Sequence, residues 1–110
     1  MFDIKGMAIE CSRQDTGMFT ITFTGDDAPQ DGTVVLVSLK TRPKKDAPVI
    51  WEKHLEVYES QVQVHITRAD SDLAEGAYWW DARILFDDSE EPFTPMEPAP
   101  FRVLEVVGNV

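Results

Sequence analysis

With 110 residues the chain is sized for one hydrophobic core, so residues 1–110 are expected to form a single domain. Its composition, 43% apolar and 27% charged, is that of a folded globular protein and excludes global disorder. A formal charge of −10 repels polyanions, so neither nucleic acid nor an anionic membrane is an expected partner.

The first apolar alternation runs from Met7 to Ser12, and Arg13-Gln14-Asp15-Thr16-Gly17 supplies the turn that ends it. The second, Met18 to Thr24, is the clearest: Phe19, Ile21 and Phe23 share one parity, and three threonines share the other. After a polar loop from Gly25 to Gly32 comes Thr33 to Lys40. Its run Val34-Val35-Leu36-Val37 predicts a central strand buried on both faces. Arg42-Pro43-Lys44-Lys45-Asp46-Ala47-Pro48 is a basic, proline-bounded connection unsuited to a helix or a central strand.

Val49, Trp51, Leu55 and Val57 oppose Glu52, His54 and Glu56 in parity, and Val62, Val64 and Ile66 oppose Gln61, Gln63 and His65. These two segments predict a hairpin turning near Glu59-Ser60. Its register would pair Leu55 with Val64 and set His54 beside His65. In the break from Arg68 to Gly76 a turn of helix is expected, capped by Asp70 or Ser71 and ended by Gly76. Ala77 to Phe86 follows as a long strand with Tyr78, Trp80, Ala82, Ile84 and Phe86 in one row and Trp79, Asp81 and Arg83 in the other. Prolines 92, 95, 98 and 100 hold the next stretch extended, and the last strand runs from Phe101 to Val107. Seven short strands at spacings of about ten residues predict an all-β sandwich, with a barrel as the alternative.

Leu73-x-x-Gly76-x-Tyr78-x-Trp80 resembles the corner of immunoglobulin-like domains, in which a tyrosine hydroxyl pins the turn before the penultimate strand. The resemblance implies an immunoglobulin-like β-sandwich of about seven antiparallel strands. Leu73 would plug its end, Gly76 would allow a close approach, and Tyr78 would bond to backbone near residues 72 to 75. Trp80 would stand where antibody domains carry a cysteine, packed against Ile21 or Phe23. Cys11 is the only cysteine, so packing must replace the disulfide.

The patches Arg13-x-Asp15-Thr16-Gly17, Leu73-x-x-Gly76-x-Tyr78-Trp79-Trp80-Asp81-x-Arg83, and Phe93-Thr94-Pro95 leading to Phe101-x-Val103 are similar to immunoglobulin-like structural proteins of phages and prophages. The nearest likeness within that family is to the amino-terminal domain of baseplate upper proteins. This implies a non-catalytic assembly module whose partners are other virion or assembly proteins, or itself, located in the cytoplasm of the bacterial host before assembly and then in the virion. The amino terminus has no basic region followed by a long apolar run, and no apolar stretch is long enough to span a bilayer, in keeping with that location. A bacterial carbohydrate-binding or adhesion sandwich is the alternative.

Chemistry is sparse. There is no Cys-x-x-Cys pair, His-Glu-x-x-His helix, Gly-x-Ser-x-Gly turn, EF-hand loop or glycine-rich phosphate motif, so no metal, cofactor or catalytic residue is expected. Trp79 points away from the core that takes Tyr78 and Trp80. With Phe93 and Met96 of the proline-held segment it is the expected contact surface for a partner.

Overall fold

The computed structural model describes residues 2–5, 7–25, 28–44, 46–85 and 97–104, and for 2–5 the backbone alone. In chain order the elements are β1 (Phe2–Lys5), β2 (Ala8–Ser12), β3 (Gly17–Thr22), β4 (Val34–Lys40), β5 (Val49–Glu56), β6 (Gln61–Ile66), α1 (Arg68–Ser71), β7 (Gly76–Leu85) and β8 (Ala99–Leu104). They form a six-stranded sheet in the order β1-β2-β8-β7-β4-β5, faced by a two-stranded sheet, β3-β6. This is an all-β, immunoglobulin-like sandwich. The neighbours are antiparallel except β2 and β8, which run parallel.

The inward rows follow the alternation in the sequence. Val35, Val37 and Leu39 of β4 meet Ile84, Ala82 and Trp80 of β7, and all six are buried. Phe19, Val62, Val64 and Ile66 close the core from the small sheet, while Ile21, Phe23 and Trp51 pack half-buried at its margin. Each fully buried side chain of this kind contributes about 1.5–3 kcal/mol, enough in sum to hold the domain without a disulfide. β4 lies between β5 and β7 and is buried from Val35 to Lys40, as a central strand must be. Pro100 is tolerated inside β8 because β2 pairs only from Phe101 onward, leaving Pro100 a neighbour on one side.

The predicted hairpin of β5 with β6 does not form. Glu59 and Ser60 do make a two-residue turn with both φ angles positive, and Tyr58 and Gln61 exchange backbone hydrogen bonds across it. Beyond that bridge the strands part, β5 to β4 in the large sheet and β6 to β3 in the small one. Buried Val57 sits at the branch, its backbone bonded to the Gly32–Thr33 turn. A bulge at Leu39/Lys40 also turns Val49 out of the inward row of Trp51 and Leu55, leaving it 46% exposed.

The helical turn forms with a different cap. The Thr67 hydroxyl accepts from the Asp70 amide at 3.2 Å and the Asp70 carboxylate accepts from the Thr67 amide at 2.8 Å, a reciprocal capping box. The C-cap is Asp72, and Gly76 opens β7 instead of ending the helix.

Candidate functional site

The Arg13-to-Gly17 patch docks on the helical turn that precedes Leu73. The turn after β2 lies against α1: Arg13 Nε donates to Asp72 at 2.7 Å, the Gln14 amide donates to the Ser71 carbonyl, and the buried Ser71 hydroxyl donates to the Asp15 carbonyl at 2.6 Å. The Arg13 guanidinium holds the Asp72 carboxyl below its ordinary range. On the other flank Trp51 Nε1 donates to the Asp70 carbonyl at 3.0 Å, and Lys53 reaches the Asp70 carboxylate at 2.7 Å while lying over the Trp51 ring. Burial pushes that carboxyl up, but the hydrogen bonds from Lys53 and Thr67 outweigh it and keep Asp70 below the usual value.

The tyrosine corner is present. The Tyr78 hydroxyl donates to the Ala74 carbonyl at 2.7 Å, and Leu73 packs half-buried against the core. Gly76 serves by its backbone: φ is +154° and nothing lies within 4 Å of where a Cβ would project, so conformation and not close approach selects glycine there. Trp80 is buried, its Nε1 donating to the Met7 carbonyl at 2.9 Å. Its ring partner across the sheets is Phe19, at 5.1 Å between centroids, not Ile21 or Phe23. All three share a parity, and Phe19 is the one level with Trp80.

Trp79 lies half-buried on the opposite face, between Lys40 of β4 and Pro100 of β8. Phe93 and Met96, its expected companions, lie outside the described residues. Around Trp79 the outer face carries a largely buried polar network that the alternation did not announce. Ser38 and Asp81 face each other, both buried, and Lys40 reaches Asp81 at 3.6 Å with its own side chain 4% exposed. Arg83 reaches Ser38 and Glu52 at 3.4 Å each. Asp81 Oδ1 and Arg83 Nε are buried without a hydrogen-bond partner. The readable signal was the facing of Lys40 and Ser38 against Asp81 and Arg83 once β4 is set beside β7. The Ser38 hydroxyl also donates to the Glu52 carboxylate at 3.4 Å, so Arg83, Ser38 and Glu52 form one cluster beside the Lys40–Asp81 pair.

The two histidines are not neighbours: His54 pairs with Leu36 in the large sheet and His65 with Met18 in the small one. Among the described residues no three His, Cys, Asp or Glu side chains are grouped to hold a metal ion. Cys11 is buried in β2, where desolvation, with the Asp15 carboxylate adding to it, pushes the thiol up to about 11. Among the described residues no helix is long and apolar enough to cross a membrane.

Six strands facing two leave the small sheet flanked by a groove on each side. Beside β6 a polar groove of about 530 Å³ is lined by Glu56, Tyr58, Glu59, Gln61, Gln63 and His65, among others. Beside β3 a smaller one of about 300 Å³ is lined by Met7, Ile9, Phe19, Thr20, Ile21, Thr22 and Trp80. No protein-family model, no curated protein and no solved structure matches the chain, so its function is argued from this geometry and from its own residues.

Proposed function

We propose that this chain is a non-catalytic assembly module of a phage-type particle, of its tail or baseplate, working through protein–protein contacts. The observation that carries the reading is the lopsided sandwich: in a chain of formal charge −10, the two-stranded sheet is built from the segments Gly17–Thr22 and Gln61–Ile66, which hold no Asp, Glu, Lys or Arg and a single histidine, His65. Neither strand has a second neighbour among the described residues. Neutral, unpaired sheet beside open grooves is a surface for a protein partner, and the acidity elsewhere disfavours wrong contacts. The patches that resemble phage structural proteins support the reading, and one of them, Arg13 to Gly17, is tied to the helical turn just ahead of Leu73.

The test is to purify particles from a host carrying the gene in its prophage and to quantify the chain by mass spectrometry. Stoichiometric presence in particles, or in a tail subassembly, is expected; its absence from both would overturn the proposal. A second reading, glycan binding, is favoured by Tyr58, which is 69% exposed at the rim of the polar groove beside carboxylates and amides. Titration with oligosaccharides tests it: saturable binding abolished by Tyr58→Ala would move the assignment there.

A further inference from the structure

Among the described residues the sandwich has four sheet edges, β1 and β5 in the large sheet and β3 and β6 in the small one. Folded proteins guard such edges with charges, proline or bulges, because unpaired backbone groups accept any passing strand. β5 carries Glu52, Lys53 and Glu56, and β1 carries Asp3 and Lys5. β3 has no such device. From Thr16 to Gly25 it lies in the longest uncharged run of the chain, it contains no proline, and its register with β6 runs unbroken from Gly17↔Ile66 to Thr22↔Gln61.

Beneath that edge lies the smaller groove. Ile9 of β2 and the adjoining Met7 contribute to one side, Phe19 and Ile21 to the other, and Trp80 also lines it. Met7 is 51% exposed there and Met18, on the outer face of β3, is 48% exposed. β1 continues the large sheet past β2, so the groove has a shelf one further strand spacing wide, about 4.8 Å. That shelf decides what fits. A second folded copy pairing its own β3 to this edge would drive its large sheet into β1 and β2. A single extended segment meets no such obstacle.

We infer that the outer edge of β3 is a strand-acceptor site, taking one extended segment of a partner protein by β-augmentation, with apolar side chains at alternate positions and no carboxylates. The apolar row drops over Met7 and Ile9 beside Phe19 and Ile21, and the intervening side chains lie beside Thr20 and Thr22 on the outer face. Main-chain hydrogen bonds supply affinity, and the groove reads the alternate side chains. A neutral or basic segment is selected because the acceptor chain is strongly acidic overall. The inference deepens the assembly reading by naming where and how a partner docks, yet its test does not depend on the partner being viral.

The probe is a short synthetic peptide of alternating threonine and valine with a lysine at each end, titrated into the full isotope-labelled chain. Expected are saturable amide shifts confined to residues 17–22 and 7–9, and slower exchange of the outward-facing β3 amides by at least about tenfold. Met7→Glu, which sets a carboxylate at the groove while leaving the buried core untouched, should weaken binding by more than about tenfold. The same peptide with glutamate in place of valine should not bind. Failure to bind at millimolar peptide, shifts centred on β5 or β6, or Met7→Glu binding unchanged would each overturn the inference. So would a peptide-free chain that is already dimeric through β3, or whose β3 amides are already protected by residues 86–96 or 105–110. Peptide binding by a chain absent from particles would leave the acceptor site standing and remove the viral reading.

Discussion

Trp80→Phe tests the pin that holds the two sheets together. The substitution keeps an aromatic ring near Phe19 but deletes the indole N–H bonded to the Met7 carbonyl at 2.9 Å. That bond is worth about 0.5–1.5 kcal/mol, at the lower end here because Met7 is half exposed and water can replace the donor. Removing the second ring of a side chain only 4% exposed forfeits roughly 40 Å² of apolar burial, about 1 kcal/mol, and a residual cavity adds to it. The sum is about 2–3 kcal/mol. For a domain of this length each kcal/mol shifts Tm by roughly 4 °C, so a fall of about 10 °C is expected. Urea unfolding followed by far-ultraviolet circular dichroism measures it, with Trp79→Phe as the internal control. Trp79 is half-buried on the other face, and its replacement should cost less than about 1 kcal/mol. A double-mutant cycle of Trp80→Phe with Phe19→Leu should show coupling of about 0.5–1.5 kcal/mol. Equal costs at positions 79 and 80, or a larger one at 79, would mean that β7 is placed one residue out of register and would refute the reasoning.

Tyr78→Phe removes the corner bond to Ala74 and should destabilise by about 1 kcal/mol; a neutral result in calorimetry would show that the corner is held by packing alone. Lys40→Met strands the buried Asp81 carboxylate and should cost about 3–5 kcal/mol, most of it recovered when Asp81→Leu is added; additive losses in chemical denaturation would contradict the pairing. Cys11 should resist thiol reagents in the native state and react on unfolding. Its folded pKa of about 11 lies above the ordinary 9.0, so the unfolded chain loses its proton first; this contribution is intact below pH 9 and is lost as pH rises toward 11, which Cys11→Ala should abolish in melts across that range. If the proposed assembly role holds, Trp79→Ala with Phe93→Ala should diminish capture of the assembly partner while leaving Tm within a few degrees; a lowered Tm with capture unchanged in ultracentrifugation would make both residues merely structural.

Alternation along the chain told which face each side chain takes, and so Phe19, Val35, Val37, Val62, Val64, Trp80, Ile84 and Val103 were legible as core. It could not tell which sheet a strand joins. Glu59-Ser60 has the geometry of a hairpin turn, yet the strands on either side part around Val57, a decision taken by packing across the sandwich and not by local chemistry. Parity likewise cannot rank depth along one strand, which is why Ile21 or Phe23 was expected to meet Trp80 where Phe19 does. Phe2–Lys5 pairs with β2 but is too short for periodicity to announce. At the candidate site, Trp79 was readable because it must oppose its two aromatic neighbours. The buried Lys40–Asp81 pair was not, since a period-two reading treats a charged outward residue as solvated. The neutrality of β3 was visible in the sequence, but its meaning depends on its having no second neighbour among the described residues, which is a property of the sheet order.

The placement of β8 governs how this chain is made. Among the described residues it is the last strand in chain order, yet it sits inside the large sheet between β2 and β7. Until it emerges from the ribosome the sheet exists as two fragments, β1-β2 and β7-β4-β5, and β7 from Gly76 to Trp80 lacks its neighbour on the β8 side. Pairings so distant in sequence close slowly, because the entropy of a long loop must be lost before any contact forms. The strand that joins the two fragments is therefore made after every neighbour it pairs with, and a translation product that stops before Ala99 presents a bare, tryptophan-bearing edge. Such a fragment is the form of this protein most prone to aggregate and most readily recognised by chaperones and proteases.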